Sequence, residues 1–269
     1  EAQRSEAGLF LGYSYYMGDI NPTTPFAMAK PAAGLIYRYN INPRWAFKLN
    51  GLYGTIQSDD AVIKHNEVRN LSFRSPVTDI SAQLELNFFP YVTGKGSKMY
   101  FSPYMFAGLS VFHFNPQAYY NGVLYDLQPL GTEGQGTSFM PERNKYSLTA
   151  ISIPFGLGVK YSIGNSWCIG GEWSMRKTFT DYLDDVSTTY VDTEKLAAEN
   201  TSIAAALADR SISSDGNAAH EGLQRGNSQN NDWYSFIGIF ITYSLKSPFS
   251  KRCDAYRSGG SSKFHEYRY

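Results

Sequence analysis

Residues Asp79 to Phe89 read D-I-S-A-Q-L-E-L-N-F-F. Ile80, Ala82, Leu84, Leu86 and Phe88 alternate with Asp79, Ser81, Gln83, Glu85 and Asn87, the two-residue period of a β-strand with one apolar and one polar face. The same alternation recurs along the chain and marks eight strands, at about residues 8–17, 31–40, 44–57, 78–89, 99–114, 147–163, 166–178 and 233–245. Three connections (40–43, 90–98 and 162–165) are compact turns rich in Gly, Pro and Asn, whereas the other four run from about a dozen to about fifty residues. Short connections on one side and long ones on the other predict an all-β protein: a closed eight-stranded antiparallel transmembrane β-barrel with short periplasmic turns and long extracellular loops. The barrel with its loops, notably 115–146 and 179–231, is expected to occupy residues 1–245, and a periplasmic C-terminal tail residues 246–269.

Composition narrows the alternatives. Aromatic residues make up 16% of the 269 positions, with 21 Tyr and 24 Gly, a balance that favours β-structure. The 24 basic and 24 acidic residues cancel, so no bulk charge would recruit nucleic acid. No apolar run approaches the roughly 18 residues that a spanning helix needs. A negative mean hydropathy is compatible with spanning strands, whose polar half offsets the lipid-facing half. The opening Glu1-Ala2-Gln3-Arg4 suits a mature exported chain, and it offers no cysteine for an N-terminal lipid anchor. Cys168 and Cys253 permit one disulfide at most.

Which face is inward separates a membrane barrel from a soluble lipocalin-like binder. One parity holds Leu9, Leu11, Tyr13, Tyr15, Leu35, Tyr37, Trp45, Phe47, Ile151, Ile153, Ile239 and Ile241, almost without charge. The other mixes glycine and serine with Arg38, Lys48, Glu85, Lys160, Glu172 and Arg176, although Phe10, Phe106 and Phe236 interrupt it. These six charged residues, with Asp79 as a further acid, are expected to form a lumen ion-pair network, because buried charge persists only where both signs are present. Eight strands enclose room for side chains or one small ligand, so no diffusion pore is expected. The similar corners Tyr39 to Trp45 and Tyr161 to Trp167 place rings where a headgroup-level girdle would lie.

Catalytic and metal signatures are weak. His113 lies near the loop end of the fifth strand, as a rim histidine of a lipid-modifying barrel enzyme would, but Ser110 falls on the opposite parity. Asp181, Asp184, Asp185 and Asp192 cluster in the last long loop without the order of a calcium-binding EF-hand, and they are read as turn caps or solvated acids. Residues 195–210 are expected to supply a short helix over the barrel mouth. The glycines of L-Q-P-L-G-T-E-G-Q-G, from Leu127, lack a phosphate-loop context. Neither an enzyme nor a cofactor-binding protein is expected, and no small-molecule substrate.

Several longer segments resemble a known family. They are G-L-F-L-G-Y-S-Y-Y-M-G-D-I-N-P-T from Gly8, K-P-A-A-G-L-I-Y-R-Y-N from Lys30, R-N-L-S-F-R-S from Arg69, L-Q-P-L-G-T-E-G-Q-G-T-S from Leu127, M-R-K-T-F-T-D-Y-L-D-D-V-S-T-T-Y-V-D from Met175 and R-G-N-S-Q-N-N-D-W-Y-S-F from Arg225. Together they resemble the PorG family, the outer-membrane barrel of the type IX secretion system of Bacteroidota. The resemblance implies a non-enzymatic role in protein export, with the periplasmic ring of the lipoprotein PorK and its partner PorN as the proteins that the barrel anchors. It carries over no catalytic residue.

Beyond the last strand, residues 247–269 are polar, basic and interrupted by Gly259-Gly260, a composition that orders only against something else. A periplasmic partner is expected to contact Tyr256, Phe264, Tyr267 and Tyr269, with Arg252, Arg257 and Arg268 making polar bonds. Folding of the tail back onto the barrel's own mouth is the alternative. Cys253 would be free, bonded to Cys168 or bonded to the partner.

Overall fold

The computed structural model describes residues 5–92, 100–164, 166–212 and 220–245. The barrel wall is built from β1 (Ser5–Met17), β2 (Lys30–Asn40), β3 (Trp45–Asp59), β4 (Ser72–Asn87), β5 (Phe101–Phe114), β8 (Thr149–Ile163), β9 (Trp167–Thr178) and β10 (Trp233–Leu245). Each pairs antiparallel with its neighbour in the chain, and β1 closes on β10 from Ser5↔Leu245 to Met17↔Trp233. The ring therefore has no free edge, so every backbone ladder is satisfied within the wall.

Three features of the secondary structure depart from the sequence-based expectation. β4 begins at Ser72 rather than at residue 78 and runs through Pro76. The pairing with β5 starts only at Val77↔Phe114, so Pro76 is paired on one side alone, opposite Thr55 of β3. Within the long loop 115–146, β6 (Gln117–Tyr120) and β7 (Val123–Asp126) form a hairpin, which touches the barrel through Arg74↔Gln117. Its turn is Asn121-Gly122, both left-handed (φ 50° and 80°), as a two-residue hairpin turn requires. The expected helix over the mouth is two short ones, α3 (Thr193–Glu199) and α4 (Ser202–Ala208), joining the single turns α1 (Asp60–Ile63) and α2 (Leu127–Leu130). Asp192 caps α3 by accepting from the N–H groups of Glu194 and Lys195, and Thr201 caps α4.

The apolar parity faces outward. Leu109, Ile80 and Ile239 are 71%, 68% and 68% exposed on the wall, flanked by Leu9, Leu11, Leu35, Leu84, Val111 and Ile151. A continuous band of this kind is untenable in water and is what hydrocarbon requires, which excludes the soluble-binder arrangement. At the short-turn end the band finishes in exposed rings, among them Tyr39, Trp45, Tyr161, Trp167 and Tyr243, with the last two in edge contact at 4.9 Å. Tyr15 is a correction: it has outward parity but is 1% exposed, because Phe26 of the first long loop covers it at 4.7 Å and Trp173 Nε1 donates to its hydroxyl.

Candidate functional site

The lumen is filled in three layers, counted from the short-turn end. In the first, Arg38 Nη1 donates to Glu6 Oε2 at 3.0 Å and Arg38 Nε to Glu85 Oε2 at 3.1 Å, and Lys160 pairs with the other oxygen of Glu85. Asn40 and Thr242 donate to Glu6 as well, at 2.8 and 2.9 Å. In the second, Lys48 pairs with Glu172, to which Tyr104 Oη also donates at 2.7 Å. In the third, Arg176 Nη2 lies 3.5 Å from Asp79 Oδ1 while Tyr234 Oη donates to Asp79 Oδ2 at 2.7 Å. Four cations thus meet four carboxylates, all buried. The layers bring together all six of the charged residues named from the sequence, with Asp79. Glu6, Tyr104 and Tyr234 are additional members.

Local register explains why the charges fit. Glu172 stands between Gly158 and Gly238 on the neighbouring strands, and Lys160 between Ser102 and Gly170, so each long side chain has small neighbours to lean over. The requirement is tight: a Cβ on Gly158 would lie 2.4 Å from the Tyr104 ring. The phenylalanines that break the polar parity complete the filling. Phe106 lies under the Lys48 ammonium at 4.0 Å, Phe240 under the Arg38 guanidinium at 5.1 Å and Phe236 under that of Arg176 at 4.7 Å. A lumen filled in this way is a plug, because opening it would strip buried charges from their partners.

A second buried network seals the long-loop end. Glu133 is held between left-handed glycine turns at Gly131 and Gly134 and is wholly buried. It accepts from the N–H groups of Ser187 and Thr188, from the Thr188 hydroxyl and from Arg225 Nη1 at 3.0 Å. Arg225 also donates to the backbone oxygens of Asp185 and Ala208. Arg69 forks onto Asp60 with two bonds of 2.8 Å and donates to the backbone oxygens of Arg225 and Asp19. Asp185 accepts from Thr132 Oγ1 and Tyr146 Oη. Burial pushes its carboxyl up to about 6 against the pull of Arg225. These loops and the small apolar cluster of Val191, Leu196, Ala204 and Ala208 make a cap over the mouth.

Of the four aspartates named in the last long loop, Asp181, Asp184 and Asp185 are buried in this cap rather than solvated and Asp192 caps α3, and among the described residues no cluster of metal-ligating side chains occurs. His113 is exposed on the outer wall and contacts Thr149, whereas Ser110 is buried in the lumen against Ser152, so the two share no surface. Cys168 is a buried free thiol. Cys253 and the other named tail residues lie outside the described residues, as does most of the turn 90–98.

The cap residues Asp60, Arg69, Glu133, Arg225 and Asp232 were not singled out from the sequence. The available signal was the set of segments that carry the family resemblance: those from Arg69, Leu127, Met175 and Arg225 converge in this network.

An apolar outer band around a charge-balanced lumen filled by side chains defines a membrane-spanning β-barrel. Residues 1–203 match the family described as "Domain of unknown function (DUF6089)", and the chain belongs to that family. No curated protein matches the sequence. Among solved structures, Neisserial surface protein A (NspA) is similar at 9% identity over 91% of this chain and 99% of its own, with a TM-score of 0.45. OprG from Pseudomonas aeruginosa is similar at 10% identity over 91% and 98%, with a TM-score of 0.42. The N-terminal β-barrel domain of Pseudomonas aeruginosa OprF is similar at 11% identity over 90% and 99%, with a TM-score of 0.36. At such scores the barrel assignment rests on the closed ladder of this chain itself.

Proposed function

We propose that this chain is a structural outer-membrane component of the type IX secretion machinery, of the PorG kind, which anchors the periplasmic PorK and PorN ring and so supports protein export. The observation that carries a structural rather than a transporting role is the plugged lumen, in which Arg38 is held by Glu6 and Glu85 with no side-chain exposure. The secretion role itself rests on the sequence segments that resemble the PorG family.

In this reading the short turns and both termini face the periplasm, and the long-loop cap faces outward. The tail carrying Arg252, Cys253, Tyr256, Arg257, Phe264, Tyr267, Arg268 and Tyr269 supplies contacts to the ring. Purification of the tagged barrel from its native membrane in mild detergent, with and without residues 246–269, tests both parts. Recovery of PorK and PorN with the full chain and their loss on truncation is the expected result. Their absence from both preparations overturns the secretion role, and their retention after truncation overturns only the tail as the contact.

A further inference from the structure

Beneath the cap, three side chains from distant parts of the chain meet at one oxygen. Tyr16 Oη, at the end of β1, lies 2.6 Å from Asp184 Oδ2 and 2.7 Å from Asp232 Oδ1. The three residues are 0%, 1% and 0% exposed. A phenol carries one proton and can donate it along only one of two contacts this short. The other contact is a hydrogen bond only if its carboxyl is protonated and donates to the phenol oxygen. The geometry therefore requires a proton beyond the one on Tyr16.

The surrounding charges point the same way. Acting on this site are Asp19 after β1, Arg69 from the loop after β3 and Asp181 from the loop before β10, and Asp60, Glu133, Asp185 and Arg225 belong to the adjoining cap network. Arg176 and Asp79 form the lumen layer below. Arg69 is committed to Asp60, Arg225 to Glu133 and Arg176 to Asp79, which leaves Asp181, Asp184 and Asp232 without a salt-bridge partner among the described residues. Asp181 is a further sign of this shortage: it is 7% exposed, no cation pairs with it among the described residues, and burial pushes its carboxyl up to about 8 against a hydrogen bond from Ser187. Burial, reinforced by Asp19, pushes Asp184 up to about 8. Burial followed by the charges of Asp184 and Asp181 pushes Asp232 up as well.

The remaining carboxyl oxygens hold the loop. Asp184 Oδ1 accepts from the Val186 N–H at 3.0 Å, and Asp232 Oδ2 accepts from the Leu183 N–H at 2.9 Å. We propose that Tyr16, Asp184 and Asp232 form a proton-operated latch that ties segment 183–186 of the cap to the barrel rim and lets it go when the shared proton is lost. A carboxyl protonated in the folded state at pH values where the unfolded chain is ionised contributes stability that is full below the ordinary Asp value. That contribution falls as pH rises through the raised one. The cap is thus held most firmly in acid, loosens progressively as pH rises from about 4 to about 8, and changes little with this group above that.

Amide exchange at Leu183 and Val186, corrected for the intrinsic pH dependence of exchange, reads the latch in the full-length barrel in detergent. Between about pH 6 and about pH 9, opening in the parent is expected to rise roughly a hundredfold, the ratio for a group titrating near 8 in the closed cap and near the ordinary Asp value in the open one. In Asp184→Asn the amide nitrogen donates to Tyr16 at every pH, and the rise should shrink to less than about threefold. Asp232→Asn serves as a second variant should the first fail to fold. A parent without pH dependence overturns the proposal, as does a folded variant with the parent's full dependence. Protection restored at high pH by added calcium chloride also overturns it and reassigns the cluster to cation binding.

Discussion

Arg38 and Glu85, on strands two places apart around the barrel, meet inside the lumen with Nε 3.1 Å from Oε2 and no exposed side-chain surface on either partner. Glu85 also takes Lys160, so one carboxylate holds two cations. Glu85→Ala should leave Lys160 without its carboxylate and Arg38 with Glu6 alone, and cost about 3–5 kcal/mol, the usual penalty for breaking a buried pair from one side. Denaturant unfolding in detergent micelles measures it, and a loss below about 1 kcal/mol would mean that water enters the lumen freely.

Steric closure of the second layer is testable at Gly158. A methyl group there collides with the Tyr104 ring, whose hydroxyl donates to Glu172. Gly158→Ala is expected to destabilise the barrel by about 1–3 kcal/mol, the range for overpacking a filled interior. Combining it with Tyr104→Phe removes the hydroxyl oxygen 2.5 Å from that methyl but leaves the ring carbon at 2.4 Å, so the clash should be relieved only in part. Full recovery of stability in the double variant would place the clash at the hydroxyl alone.

Electrical closure is a separate expectation. The parent barrel in a planar lipid bilayer should show no steady ionic conductance, since cations and carboxylates fill the lumen in pairs. Stable single-channel openings in the parent would contradict the plug.

Asp185 gives the cap a second pH dependence, lower than that of the latch. Burial raises its carboxyl to about 6, so the stability it contributes is full below the ordinary Asp value of about 4 and declines as pH rises through about 6. Proteolytic nicking of the loop at 181–189 should increase over that interval. Asp185→Asn should remove this step and leave the one near 8 in place.

Cys168 is buried in the lumen as a free thiol. In a Cys253→Ser variant, a maleimide reagent should label Cys168 only after the barrel is unfolded. Rapid labelling of the folded barrel would show that reagent-sized molecules enter the lumen from the short-turn end.

The strands were legible because their signal is local. Alternation from Asp79 to Phe89 depends on residues two apart, and the same period marks Gly8 to Met17 or Trp233 to Leu245 without knowledge of their partners. It also divided the lumen charges from the lipid-facing residues, since parity along a strand fixes the face. The extent of β4 was missed because Pro76 looks like a breaker until the ladder with β5 is seen to begin one residue later. Tyr15 was misplaced because parity takes no account of a loop folded back over the wall, as Phe26 is.

The sequence by itself therefore determined the wall of this protein: eight amphipathic strands, alternating short and long connections, and the sign of each charge offered to the interior. Only the tertiary structure decided who holds whom. Glu85 reaches Arg38 and Lys160, and Tyr16 reaches Asp184 and Asp232, because closure of β1 on β10 and descent of the loops bring together residues far apart in the chain. The two-residue period is set by backbone geometry within one strand. The pairings depend on register and barrel closure, which no single strand encodes.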